Sequence, residues 1–70
     1  MIKSKLIPTT WGKRRIINDY KGINRLWVKR TNIRTYVVCT SESLTLKGMI
    51  EINGNYHFST LKELHTALNQ

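Results

Sequence analysis

The chain has 70 residues, with 12 Lys and Arg against 4 Asp and Glu, a formal net charge of +8 and a pI near 10.2. One cysteine excludes an intrachain disulfide and a multi-cysteine zinc site, and the longest apolar run, Tyr36 to Cys39, falls far short of the roughly 20 residues that cross a bilayer. With 40% apolar residues and no apolar signal core after the N-terminal lysines, the composition fits a folded cytoplasmic basic domain, neither membrane-bound nor a solvated arm.

Seventy residues beginning at Met1 are read as one domain, 1–70, and as one complete small gene product. A chain of this size buries only about 60% of its unfolded surface, so a homodimer or another partner is expected to add burial.

Residues 2–7 (IKSKLI) fit an edge strand whose lysines discourage sheet-to-sheet pairing. Residues 9–22 admit two readings. One is a helix capped by Thr9 or Thr10 and stopped at Gly22, weakened by Gly12 and the β-branched pair Ile16 and Ile17; the other is a strand through RRII that turns between Asn18 and Gly22. Residues 24–30 (NRLWVKR) and 33–40 (IRTYVVCT) alternate with period two and form an antiparallel hairpin around Thr31 and Asn32. Residues 44–52 (LTLKGMIEI) place Leu44, Leu46, Ile50 and Ile52 on one face, with Gly48 as a bend or bulge.

The turn at Asn53-Gly54 leads to a short strand, Tyr56 to Phe58. A three-residue loop pairing Ile52 with Tyr56 and Ile50 with Phe58 keeps four large apolar groups together, and is preferred over a two-residue loop pairing Ile52 with Asn55; it sets Glu51 opposite His57. A helix begins at Ser59 or Thr60, where Thr60 and Glu63 have capping-box spacing and Leu61, Leu64 and Leu68 form one stripe. The expected fold is α+β, three or four antiparallel strands with the C-terminal helix on their apolar face.

The charge is segregated. Ten of the 12 Lys and Arg lie in residues 1–34 against Asp19 alone, giving that segment +9 and the remainder −1. With Leu26, Val28, Ile33, Val37 and Cys39 inward, alternation gathers Arg25, Trp27, Lys29, Arg34 and Tyr36 on the outward face, beside Arg30, and Lys13, Arg14 and Arg15 form a second patch. Arginine forks hold phosphate oxygens and exposed aromatic rings stack on unpaired bases, so these nine residues are the candidate nucleic-acid contacts, to DNA or RNA, single- or double-stranded. In the competing reading Trp27 and Tyr36 are core residues covered by the N-terminal segment, and the charges are merely solvated.

Catalytic signatures are thin. His57 and His65 are the only histidines, without metal-ligand spacing; Cys39 falls on an inward strand position, where a thiol acts as a small hydrophobe; and the four glycines have no phosphate-loop pattern. No cofactor or metal is expected.

The order of hairpin, third strand and C-terminal helix over residues 23–70 resembles the arm-binding domains of tyrosine recombinases, which implies a sheet entering the major groove, although no residue motif carries over. Small size, basicity and Asn/Ile/Lys-rich composition also look like accessory proteins of phages or plasmids. The leading expectation is a non-enzymatic nucleic-acid-binding protein of regulatory or accessory type. The alternatives are a module or inhibitor that docks on an acidic surface of a nucleic-acid-processing enzyme, and a small RNA-cleaving toxin using a histidine.

Overall fold

A computed structural model of the chain describes residues 1–70. Strands β1 (Ser4–Thr9), β2 (Gly12–Tyr20), β3 (Ile23–Arg30), β4 (Tyr36–Cys39) and β5 (Met49–Ile50) form one antiparallel sheet in chain order, followed by helix α1 (Leu61–Leu68). This is the expected α+β class, with five strands rather than three or four. No helix is long and apolar enough to cross a membrane.

β1 is an edge strand, as its lysines implied, and Pro8 near its end removes one donor from the open side. Residues 12–20 take the strand reading. Ile16 and Ile17 are both fully buried, on opposite faces of the sheet, which a β-branched pair achieves readily in a strand. The two-residue turns Lys21-Gly22 and Asn53-Gly54 have positive φ at both residues, the geometry that matches the twist of paired strands. Asp19, also at positive φ (57°), interrupts the β2–β3 ladder, so Tyr20 joins Ile17 on the helix side despite the odd spacing between them.

Helix α1 closes one face. Leu64, Ala67 and Leu68 pack with Ile17, Leu26, Val28, Val38, Ile52 and Phe58 into the main core. Its start is the expected capping box in slightly shifted form: Thr60 Oγ1 accepts from the Glu63 N–H at 3.1 Å, while a Glu63 carboxylate oxygen accepts from the Ser59 N–H at 3.0 Å.

Three expectations about the second half fail. The first hairpin loop is longer than a Thr31-Asn32 turn: residues 31–35 intervene, closed by Thr31 N–H to Thr35 O at 2.8 Å, and β4 begins only at Tyr36. Its pairings Trp27 to Cys39, Val28 to Val38 and Lys29 to Val37 put Val38 in the helix-side core and Val37 and Cys39 on the opposite face. Val37, Val38 and Cys39 are all fully buried, because the sheet is covered on both sides and alternation there reports no phase. Ile33, expected inward, is exposed in the loop.

The proposed strand 44–52 shrinks to Met49–Ile50. Thr40 to Gly48 form a loop instead, closed by Thr40 N–H to Gly48 O at 2.9 Å, with Leu44 and Leu46 exposed and Gly48 at φ 80° as its end rather than a bulge. Third, the Asn53-Gly54 turn is the two-residue form, Ile52 exchanging both backbone hydrogen bonds with Asn55. Phe58 then reaches the core by pairing with Tyr36, taking the place beside β4 that Ile52 would hold if β5 continued. No ladder therefore sets Glu51 opposite His57.

Thr60→Ala is expected to cost about 1 kcal/mol in urea unfolding, with Thr60→Ser close to neutral. Gly48→Ala is expected to cost more than the roughly 1–2 kcal/mol of a left-handed alanine, because the added methyl meets Thr40 Oγ1.

Candidate functional site

The antiparallel registers fix where the basic residues go. On the face opposite the helix, Ile16 pairs with Lys5 on one side and Trp27 on the other, and Asn18 pairs with Arg25. Trp27 is only 6% exposed, held between two guanidinium groups: Arg14 at 5.6 Å and Arg25 at 5.7 Å from the ring centroid. The indole therefore orients two arginines and offers no open face to a base, which overturns its expected role as a stacking platform.

Lys29 is turned inward from the open surface. The Thr40–Gly48 loop folds over this face, so the Lys29 ammonium is buried and donates to Thr45 O at 2.6 Å, while Arg14 reaches Glu42 O at 3.4 Å. Burial pushes the Lys29 pKa down, with the Cys39 thiol opposing that shift and Arg14 reinforcing it. Burial likewise pushes the Cys39 thiol up, against a smaller effect of Lys29, so Cys39 is a neutral, inert core group.

Tyr36 lies on the helix side, half-buried, with Arg30 at 5.2 Å over its ring, and Arg34 sits exposed at positive φ in the 31–35 loop. The single outward face of Arg25, Trp27, Lys29, Arg34 and Tyr36 does not exist. It divides because β4 has the opposite phase from the one expected and Arg34 precedes the strand.

A different convergence replaces it. The β2–β3 ladder ends at Arg15 and Val28; beyond that pair β2 stays with β1 through Gly12, and β3 stays with β4 through Arg30. Between the diverging hairpins opens a cleft of about 360 Å³ lined by Lys13, Arg14, Arg15, Lys29 and Arg30, with Leu6, Val28 and Leu44 as apolar wall and no acidic side chain. Five of the nine candidate residues thus meet in one place. The nine candidates leave out the two flanking leucines and Trp11, an aromatic that the sequence shows among the basic residues and that stands 57% exposed in the β1–β2 turn, two residues before Lys13. The β1 alternation carried the signal for Leu6 and the Thr-Trp-Gly turn that for Trp11, whereas Leu44 lies in a loop that reads as a strand.

Two larger hollows flank the helix: about 480 Å³ beside His57, Lys62 and Glu63, and about 650 Å³ beside Lys62, His65 and Asn69, each with fewer cations than the cleft. Ser4 Oγ and His65 Nε2 are 2.7 Å apart, the spacing of a hydroxyl and its base. The Ser4 N–H donates to the same nitrogen at 3.3 Å and Arg15 donates to Ser4 Oγ at 3.0 Å, so the array joins β1 to α1 as a structural seam. No group of three or more His, Cys, Asp and Glu side chains is placed to hold a metal ion. No known protein family matches the chain, and no curated protein or solved structure shows significant similarity to it.

Burial, then the charge of Arg15, then that of Lys3 push the His65 pKa below its ordinary 6.5. A folded pKa below the unfolded one means the unfolded chain binds more protons, so the stabilisation is complete above pH 6.5 and declines as pH falls through 6.5 toward the folded value. Urea midpoints are expected to drop from pH 7.5 to 5, and His65→Gln is expected to flatten that decline; an unchanged pH slope in the variant would remove the assignment.

Proposed function

We propose that this is a small non-enzymatic nucleic-acid-binding protein, regulatory or accessory in type, that grips the phosphate backbone with the basic cleft and its surroundings. The supporting observation is the convergence of Lys13, Arg14, Arg15, Lys29 and Arg30 on one acid-free cleft in a chain of net charge +8. Backbone contacts dominate in this reading, because Trp27 and Tyr36 are occupied by arginines and only Trp11 among the tryptophans is free to stack. A reducing cytoplasm suits the lone buried Cys39.

Fluorescence anisotropy with a short DNA duplex is expected to show log K falling against log salt with a slope of roughly −4 to −5, for about five neutralised phosphates. Absence of binding to DNA and RNA at low salt would refute the proposal. Trp11→Ala is expected to weaken single-strand binding by about 1–3 kcal/mol and duplex binding less. The exposed Leu6 and Leu44 beside the cations favour a second reading, docking on an acidic protein surface. A single stoichiometric protein partner that survives nuclease treatment would establish that alternative.

A further inference from the structure

We infer that the opening between β2 and β3 is a discrete seat for a phosphate group, kept open in the free protein by repulsion between its own cations. Extending the β2–β3 register by two positions would set Arg14 against Lys29 and Lys13 against Arg30, two like-charged pairs directly across the ladder, and pairing stops just before them. Like charges directly opposite each other destabilise a strand pair, whereas an anion between them turns each repulsion into attraction.

The cations are also partly preorganised. Arg14 is tied to Glu42 O, Arg15 to Ser4 Oγ and Lys29 to Thr45 O, each by one donor, so further N–H groups remain on all three. Lys13 and Arg30 are exposed at the rim. Three hydrogen-bonded donors, with exposed Lys13 and with Arg30 over the Tyr36 ring, around an acid-free opening of about 360 Å³ suit a tetrahedral oxyanion more than an apolar or cationic ligand. The inference deepens the nucleic-acid reading and rests on it only for the phosphate's carrier: a phosphodiester in a nucleic acid, with free inorganic polyphosphate as the other source of the same chemistry.

The test uses the full chain, sodium tripolyphosphate and a short DNA duplex, with sodium chloride at matched ionic strength as reference. Amide resonances of residues 13–15 and 28–30 are expected to shift with tripolyphosphate and not with chloride. Lys13→Gln/Arg30→Gln alters two exposed side chains, and is expected to weaken tripolyphosphate binding at least about tenfold and to reduce the duplex salt slope by about one per residue. The charge-matched Lys21→Gln/Lys62→Gln variant, altered at the far end of the β2–β3 hairpin and on the helix, is expected to retain tripolyphosphate binding. Equal losses in the two variants, or shifts spread over all the lysines and arginines, would overturn the seat. Duplex binding with unchanged affinity and slope in the cleft variant would overturn the seat and leave the nucleic-acid reading standing. Tripolyphosphate shifts confined to the cleft without binding to DNA or RNA would uphold the seat and overturn that reading.

Discussion

The arrangement of the molecule depends on the register between β2 and β3. Pairing Ile17 with Leu26 and Ile16 with Trp27 sends one apolar row toward the helix and another toward the Thr40–Gly48 loop, so the centre of the sheet is covered twice. β1 and β4 attach to the outer sides of this pair and inherit its facing. The same register carries the chain's densest positive charge to the point where the two hairpins part. Core and cleft therefore adjoin on one ladder: the apolar pairs Ile16–Trp27 and Ile17–Leu26 lie within it, and the cation rows lie beyond its last pair, Arg15–Val28.

Where one physical effect dominated, the sequence could be read. The Thr60–Glu63 spacing and the leucine stripe located α1, because capping and helix packing act over a few neighbouring residues. β3 was also legible through Leu26 and Val28 alternating with Arg25, Trp27 and Lys29. β4 was not: three consecutive fully buried residues carry no period, so its phase comes from its partner and from the 31–35 loop. The error at Asn53-Gly54 has another origin. Keeping four apolar groups together looked decisive, yet the turn's own backbone preference prevailed, and Phe58 found burial beside Tyr36 in place of Ile50.

The basic residues were legible as a group and not as a surface. Their number and their position in the first half of the chain are explicit, but which of them share a solvent-facing opening depends on where a ladder ends, a property of strand pairs. Lys29 illustrates the difference. Alternation placed it correctly with Trp27 and Arg25, while its burial follows from a loop that the sequence presented as a strand. Trp27, chosen for its ring, serves instead as a spacer between Arg14 and Arg25.

The seam between the two ends of the chain has a kinetic meaning. Every sheet neighbour is also a neighbour in sequence, so the meander can assemble from local hairpins with little loop-closure entropy. The Ser4–His65 and Ile2–Asn69 hydrogen bonds span 61 and 67 residues, so their closure entropy falls once the meander has brought these residues together. They join the first strand to the last helix and close a linear meander into a ring of contacts. Residues 2–4 and 65–69 are thereby held at one place, and loss of that seam would free the start of β1 and the end of α1 together.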